Sequence, residues 1–284
     1  MPIGTQNTKI PGCGTHHVAV QTRDWKASLR LYQDVMGMTP RKLDKNLTWL
    51  AGSQRNILLT PGKPNTVQFA AFTVLNNAHL DRLRSHLNTQ LVQVDELTSP
   101  LFENNCFAFV DPDGNRILLG IANKPVGKPD PLPGCLQHIV FATTKLSRIV
   151  DFYTDKLGFK LSDVVREEAT GELTACFLRC DKMHHSVAFF RAPEAKLDHF
   201  ANEASCWNDI RDWGDHFSEN GVKIVWGAGR HGAGNNLFIF VRDPDGNNVE
   251  ISAELEKFTY NQKPRIWAHD HRPLNLWGQA WMRS

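Results

Sequence analysis

The chain has 284 residues, of which 41% are hydrophobic and 22% are charged, a composition typical of a globular protein with its own apolar core. No apolar run reaches the roughly 18 residues of a membrane-spanning helix, and the N-terminal residues lack the apolar segment of a secretion signal, so we expect a cytoplasmic protein with no membrane partner. The net charge of +2 and the lack of a basic stripe with interleaved aromatic residues argue against nucleic acid as a partner.

A strand-like segment near the N-terminus recurs in the second half of the chain. The sequence Pro-Gly-Cys occurs at 11–13 and again at 133–135, and each copy precedes an alternating run with a histidine, His17 in the first and His138 in the second. Internal similarity of this kind indicates a duplicated structural unit. We therefore expect the two segments to form equivalent strands.

Each of these strands is followed by a pattern typical of a helix. Apolar residues recur every three or four positions, and the two patterns stop at Gly37 and at Gly158. A glycine directly after a helix commonly adopts the left-handed conformation that ends it. The spacing thus predicts two equivalent helices.

A second kind of repeat lies further along each half. Helical spacing around Leu83 and around Trp213 precedes the turn sequence Asp-Pro-Asp-Gly-Asn, which begins at Asp111 in one half and at Asp243 in the other. Proline fixes φ and glycine permits positive φ, so this sequence predicts a tight turn between the two strands of a hairpin. The chain is therefore interpreted as four modules, each with one strand, one helix and further strands, two modules per domain.

The modules predict an α+β protein of two domains, at residues 1–122 and 135–255. The segment 123–134 between them is rich in proline and glycine and is interpreted as a linker. Residues 256–284 form a C-terminal tail. Two interpretations of the tail stay open, a packed arm or subunit contact, which we favour, and a lid over an active site.

Comparison of the two halves shows which one holds metal-binding residue types. At three equivalent strand positions the second half has His138, His199 and Glu250, and the first half has His17, Gln68 and Leu118. A carboxylate that points into a domain needs a partner, because burying an unpaired ion is costly. Two imidazoles and one carboxylate on one face form the triad of non-haem iron enzymes, which leaves positions open for substrate and O₂. We predict an Fe(II) site, with Mn(II) as the alternative, in the second half and none in the first.

The arrangement resembles the vicinal oxygen chelate superfamily, whose domains are built from paired βαβββ modules. Within it the chain is similar to the type I extradiol dioxygenases, most clearly at 229–236 and 242–250, which match the signature around the family's carboxylate ligand. The resemblance covers about residues 12–255 and the tail. It implies one metal, in the C-terminal domain, and cleavage of a catechol-like aromatic diol by O₂.

The resemblance also assigns roles to two further histidines. His185 matches the family's acid–base catalyst beside the O₂ site, and His231 matches the histidine that hydrogen-bonds the substrate oxygen. A core histidine is the alternative for His185, and a loop histidine among glycines is the alternative for His231. Strand alternation would put the neighbouring His184 on the opposite face, in an outward or structural role.

Phe240 departs from the family pattern. The family has a tyrosine hydroxyl at this position, whereas phenylalanine keeps the aromatic wall but donates no hydrogen bond. Phe240, Trp207 and His231 are predicted to contact the substrate. The departure leaves two alternatives open: another metal-dependent enzyme on this fold, of isomerase or lyase type, and a non-catalytic protein that binds a small aromatic. The expected partners are otherwise a small aromatic diol, O₂ and further copies of the chain.

Overall fold

The strands of the protein divide into two series, one from each half of the chain. The computed structural model describes residues 12–52, 54–103, 105–124, 132, 134–259 and 261–283. The strands of the first half are β1 (Gly14–Thr22), β2 (Thr39–Asp44), β3 (Leu47–Ala51), β4 (Asn56–Pro61), β5 (Val67–Thr73), β6 (Asp95–Leu97), β7 (Cys106–Val110) and β8 (Arg116–Gly120). Those of the second half are β9 (Leu136–Thr143), β10 (Lys160–Arg166), β11 (Leu173–Arg179), β12 (Val187–Arg191), β13 (Lys196–Ala204), β14 (Ile224–Arg230), β15 (Leu237–Arg242), β16 (Asn248–Ala253) and β17 (Arg265–Ala268).

The described residues of each half form two helices, and the first of each pair is short. The helices are α1 (Trp25–Leu29), α2 (Asn77–Thr89), α3 (Leu146–Asp151) and α4 (Trp207–Glu219). A wider π-helical turn continues α1 over Arg30–Val35 and α3 over Phe152–Lys156. Gly37 and Gly158 follow these turns with φ of 72° and 75°, the left-handed conformation expected of a glycine that ends a helix.

Two modules lie side by side in each sheet. The eight-stranded sheet has the order β2-β3-β4-β1-β5-β8-β7-β6, and the nine-stranded sheet has the order β14-β15-β16-β13-β9-β12-β11-β10-β17. The first strands of paired modules, β1 with β5 and β9 with β13, are antiparallel neighbours inside the sheets. This is the paired βαβββ arrangement, so the prediction of an α+β fold with two repeated units is confirmed.

The alternation of side chains along β9 separates two apolar regions. Ile139 and Phe141 pack in the large core, whereas Val140 belongs to a smaller cluster on the opposite face of the sheet. We call this smaller cluster the chamber; its buried residues include Val140, Phe177, Ala188, Phe190, Trp226 and Phe240. The chamber lies on the face of the nine-stranded sheet to which the functional side chains also point.

A pair of buried tyrosines joins the two halves. The Tyr32 hydroxyl, near the first helix of the first half, donates to Asp243 Oδ2 of the second-half turn at 2.8 Å. The Tyr153 hydroxyl of the second half donates in the same way to Asp111 Oδ2 of the first-half turn at 3.3 Å. The turn of each half is thus bonded to the other half.

The tail takes part in the second sheet. Its strand β17 pairs in parallel with β10 and forms the edge of the sheet. The tail is therefore a packed arm, as the favoured interpretation had it. Most of the predicted linker 123–134 lies outside the described residues, and the domain bounds placed on either side of it stay a proposal. None of the described helices is long and apolar enough to cross a lipid bilayer.

Candidate metal centre

Three buried side chains with metal-binding atoms meet on neighbouring strands. Ala201 of β13 pairs with His138 of β9 on one side and with Glu250 of β16 on the other. Glu250 Oε2 lies 3.1 Å from His138 Nε2 and 3.2 Å from His199 Nε2. One ligand atom from each of the three residues lies within 4.8 Å of the others. The three residues that the sequence selects as ligands therefore come together at one point.

In both candidate ligand histidines, the ring nitrogen that faces away from Glu250, Nδ1, lies next to a side-chain oxygen. His138 Nδ1 lies 3.1 Å from Gln137 Oε1, and His199 Nδ1 lies 2.6 Å from Asp198 Oδ1. An amide or carboxylate oxygen only accepts hydrogen bonds. Each Nδ1 therefore carries the hydrogen of its ring, and the lone pair of the neutral ring is on Nε2. Histidines that bind metals are commonly oriented by such a partner.

Gln137 and Asp198 reach the histidines next to them because both lie at β-bulges. The register between β9 and β13 shifts at each of the two positions. In a regular strand, adjacent side chains point to opposite faces, whereas a bulge adds a residue and redirects its side chain. The bulges therefore place a supporting oxygen beside His138 and beside His199.

Asp198 is in turn bound by the C-terminal tail. Arg283 donates from Nε and Nη2 to the two carboxylate oxygens, at 3.1 and 2.9 Å. Burial by itself would raise the pKa of Asp198, but the charge of Arg283 and the hydrogen bond of His199 hold this pKa well below its usual value. A stable carboxylate thus stands behind His199.

Glu250 is fully buried, and nitrogen atoms of four side chains lie around its carboxylate. Asn236 Nδ2 donates to its Oε1 at 3.3 Å, and His231 Nε2 lies 3.5 Å from the same oxygen. Burial would raise the pKa of Glu250, but His138 first, and then His199 and His231, lower it well below its usual value. The group is held as a carboxylate, the form that binds a cation.

The equivalent positions in the first half lack this set of ligand atoms. Ala71 pairs with His17 and with Leu118, in the same way as the central alanine of the second half. The residue equivalent to the β13 histidine is Phe69, and not Gln68 as the sequence comparison predicts. The reason is that Gln68 lies at a bulge of β5 that matches the bulge of β13. Neither Phe69 nor Leu118 offers a metal ligand.

His185 lies against the candidate centre, and His184 lies behind it. The ring centroids of His185 and His138 are 4.2 Å apart, and His185 Nδ1 lies 2.9 Å from His184 Nδ1. Burial, and then the nearby His138, hold the pKa of His185 well below its usual value. His184 is fully buried, so the outward position considered for it is wrong.

His231 and three aromatic rings form one wall beside the centre. The His231 ring stacks on Phe238 with centroids 4.0 Å apart and lies 5.6 Å from the Trp226 ring. The Phe240 ring lies 5.1 Å from the rings of His199 and Trp226. His231 and Phe240 are therefore next to the candidate ligands, as the resemblance implies.

Trp207 is not part of this wall. It is the first residue of α4, its side chain is 43% exposed, and its ring contacts Trp277 at 5.9 Å. No ring contact in the described part of the chain joins it to His231 or Phe240. The contact of Trp207 with a substrate therefore stays a prediction, and the tryptophan rings next to Phe240 are those of Trp226 and Trp281.

The supporting residues were missed by the sequence analysis for different reasons. Asp198 directly precedes a selected ligand, and a carboxylate beside a histidine is a signal that could have been used. Arg283 lies 85 residues from Asp198 in the chain, and Trp226 meets Phe240 through the pairing of β14 with β15, so only the folded structure brings these residues together.

Comparison with known proteins agrees with this fold and with the repeat. The family model described as Glyoxalase/Bleomycin resistance protein/Dioxygenase superfamily matches residues 14–119 and 136–251. Metapyrocatechase 2 of Cupriavidus necator is 29% identical, over 52% of this chain and 52% of that protein. The 3-methylcatechol 2,3-dioxygenase of Pseudomonas putida is 27% identical, over 73% of this chain and 79% of that protein.

Solved structures show the same architecture over nearly the whole chain. The Mn(II)-bound glyoxalase of Novosphingobium aromaticivorans superposes with a TM-score of 0.81 at 25% identity, covering 97% of this chain and 93% of that one. The homoprotocatechuate 2,3-dioxygenase of Arthrobacter globiformis superposes with a TM-score of 0.83 at 20% identity, which shows the fold alone. The expected resemblance to the extradiol dioxygenases is confirmed by these relatives, and the solved structures show the same fold. The chain belongs to the Glyoxalase/Bleomycin resistance protein/Dioxygenase superfamily.

Proposed function

We propose that the chain is a metal-dependent extradiol dioxygenase, which opens the ring of a catechol-like aromatic diol with O₂. The observation that carries the proposal is the convergence of two histidine Nε2 atoms on the buried carboxylate of Glu250. The relatives named metapyrocatechase and 3-methylcatechol 2,3-dioxygenase support it.

The donor set fits a divalent iron or manganese. Two neutral imidazoles and one carboxylate on one face of the site form the ligand set of non-haem Fe(II) oxygenases. An ion of this kind, when bound by His138, His199 and Glu250, would supply open positions for both oxygens of a vicinal diol and for O₂. We propose Fe(II), and Mn(II) remains the alternative because one solved neighbour is Mn(II)-bound.

The side chains around the centre suit an aromatic diol. Apolar residues of the chamber, among them Val140, Ala188 and Phe240, would exclude water and contact the ring. His231 Nδ1 is bonded to the carbonyl oxygen of Leu274, so the hydrogen of the neutral ring is on Nδ1 and the lone pair is on Nε2. This nitrogen can accept a hydrogen bond from a substrate hydroxyl.

His185 is the candidate for moving a proton. Its ring lies next to His138 and is fully enclosed, and burial favours the neutral imidazole. A neutral imidazole beside the reacting oxygens can take a proton from the diol and return it later, which is general acid–base catalysis.

A second candidate function is a metal-dependent isomerase or lyase on the same fold. Phe240 favours it, because this side chain cannot hydrogen-bond a diol, and the glyoxalase among the solved neighbours covers nearly the whole chain. A non-catalytic protein that binds a small aromatic is the third possibility left by the sequence.

Oxygen uptake separates the three functions. The purified chain is loaded with Fe(II) or Mn(II) without air and then mixed with a panel of catechols in aerated buffer. Oxygen consumption with a new visible absorption band supports ring cleavage. Metal binding without oxygen uptake contradicts the proposal and favours an isomerase or lyase, and aromatic binding without metal favours a binding protein. The homo-oligomer and the cytoplasmic location stay predictions.

A further inference from the structure

His185, the candidate for moving a proton, is the first member of a row of buried groups whose other members the proposed chemistry does not use. His185 Nδ1 lies 2.9 Å from His184 Nδ1, and His184 Nε2 lies 3.1 Å from Asp163 Oδ2. The side chains of His184 and Asp163 are completely inaccessible to solvent. The row leads from the candidate centre to Asp163 of β10, next to the tail strand β17.

The far end of the row fixes the direction of its hydrogen bonds. Arg265 donates to both oxygens of Asp163, from Nε at 2.8 Å and from Nη2 at 3.0 Å, and Trp267 Nε1 donates to Oδ2 at 2.8 Å. Although burial would raise the pKa of Asp163, His184, Arg265 and Trp267 together lower it. Asp163 is therefore ionised, and an ionised carboxylate only accepts. His184 Nε2 faces this carboxylate at 3.1 Å without the alignment of a hydrogen bond, and a lone pair there would be repelled by the negative charge, so the hydrogen of the ring is on Nε2.

The near end of the row follows from the same reasoning. Burial lowers the pKa of His184, so the ring is neutral and has one hydrogen. With that hydrogen on Nε2, His184 Nδ1 is an acceptor, and His185 Nδ1 is the donor across the 2.9 Å contact. His185 Nε2 then keeps its lone pair.

We propose that His184, backed by Asp163, is a positioning residue that selects the tautomer and the ring orientation of His185. The proposal rests on the proposed function for its purpose, since the selected tautomer leaves His185 with a free basic nitrogen for a substrate proton. The opposite tautomer would place two lone pairs against each other between the histidine rings, which is unfavourable in a buried site.

Packing keeps the row in this arrangement. The His184 ring meets Phe258 and Phe177 with centroids 5.1 and 5.6 Å apart. The Phe177 ring also meets His185 at 5.2 Å. Both histidines therefore have their rings confined by the same aromatic neighbour, and a change of either ring angle is opposed by contact.

The tautomer can be measured without metal or substrate. In the full chain labelled with ¹⁵N-histidine, two-bond proton–nitrogen correlations distinguish a hydrogen on Nδ1 from one on Nε2, at about pH 8 where free histidine is neutral. The His185 signals are assigned by their loss in His185→Gln. We expect the Nδ1–H form of His185 in the unmodified chain. A predominant Nε2–H form would overturn the proposal, whatever the variants do.

Three variants test whether His184 makes the selection. In His184→Leu, which has no acceptor, we expect the Nδ1–H preference of His185 to disappear. In His184→Gln, which offers one acceptor and one donor on adjacent atoms, we expect it to persist. The matched control is His16→Leu, because His16 Nδ1 contacts the adjacent His17 at 2.8 Å in the first half. An unchanged His185 tautomer in His184→Leu contradicts the proposal.

Activity provides the second measurement. With Fe(II) bound, His184→Leu should keep the KM for catechol and lose about 10–100-fold in kcat, the usual effect of removing a partner behind a functional group, and His184→Gln should regain most of it. Equal kcat in the unmodified chain and His184→Leu would overturn the role in turnover. If no variant and no unmodified chain consumes oxygen, the proposed function fails, while the tautomer measurement still decides this inference.

Discussion

Glu250 supplies the negative charge of the candidate centre. The histidines bind a metal as neutral rings, so this one carboxylate offsets part of the ion's charge, and it is completely buried. Asn236 Nδ2 donates to it, and three histidine nitrogens lie within 3.5 Å of its oxygens. Substitution of Glu250 is thus the most direct test of the metal site.

We expect Glu250→Gln to abolish metal binding, because glutamine keeps the size of the side chain but not its charge. Iron content after anaerobic loading and gel filtration should be about one per chain in the unmodified protein and close to zero in the variant. His17→Gln is the matched control and should keep full iron, since the neighbouring strands of the first half have Phe69 and Leu118. Full iron in Glu250→Gln would mean that the ligands are misassigned.

Phe240 concerns the substrate and not the metal. Its ring contacts His199 and pairs across the strands with Glu250, so a hydroxyl added to it would lie near the metal-bound side of a substrate. We expect Phe240→Tyr to raise kcat/KM for unsubstituted catechol by about tenfold, the effect of roughly one added hydrogen bond. Steady-state oxygen uptake measures this. A decrease would indicate that the natural substrate needs an apolar neighbour at this position.

For single residues, the sequence predicts the metal ligands better than it predicts the residues that orient these ligands. His138, His199 and Glu250 stand out because a duplicated chain offers its own comparison, whose first-half members are His17, Phe69 and Leu118 in the structure. Gln137 and Asp198 reach the histidines through bulges, which shift the register by one residue and have no sequence mark of their own, although the Asp198–His199 pair itself is a signal. The matching bulge of β5 explains why the sequence comparison selects Gln68 and not Phe69.

The C-terminal tail is the element that is bonded to several of the residues around the candidate centre. Leu274 contributes a carbonyl oxygen to His231, Arg283 binds the carboxylate behind His199, and Arg265 binds the carboxylate at the end of the row behind His185. The tail therefore contacts, directly or through one or two residues, three histidines of the candidate site. A packed arm of this kind orients the side chains of the candidate site.

We expect Arg283→Met to weaken metal binding, because Asp198 then loses its bidentate partner and no longer fixes the His199 ring. The dissociation constant for Fe(II) or Mn(II) should rise about 10–100-fold, which a competition titration with a coloured chelator measures. The control is Arg272→Met, an exposed arginine of the same tail, which should not change the constant. Equal constants for both variants would show that the tail does not support the centre.

Elements with local signals were predictable and elements with distant partners were not. The helices that end near Gly37 and Gly158 and the hairpins around the Asp-Pro-Asp-Gly turns follow from spacing and turn chemistry. Strand β17 has no such signal, since its bonds are to β10, about 100 residues earlier in the chain. The sequence therefore marks residues 256–284 as a tail, but it does not predict that part of this tail pairs with β10.

In the whole molecule, the first half acts as a partner of the second through pairs of equivalent contacts. His216 Nε2 bonds the carbonyl oxygen of Val35 at 2.7 Å, and His86 Nε2 bonds that of Lys156 at 2.9 Å. The two tyrosine–aspartate bonds repeat the same exchange. A half that lacks the ligand set thus keeps a structural role, because it buries and satisfies polar groups of the half that holds the ligands.

We expect Tyr32→Phe to lower the free energy of unfolding by about 1 kcal/mol, because Asp243 loses a buried donor while Asn247 still bonds it. A loss of this size corresponds to roughly 2–4 °C in Tm for a chain of this order of length.

Tyr153→Phe should cost less, since its bond to Asp111 is longer, 3.3 Å against 2.8 Å. The two losses should add in the double variant, with iron content unchanged in all three, because the bonds share no partner. Calorimetry of the loaded protein measures Tm. An unchanged Tm in both single variants would show that these bonds do not hold the halves together, and a loss of iron at constant Tm would place the effect in the metal centre instead.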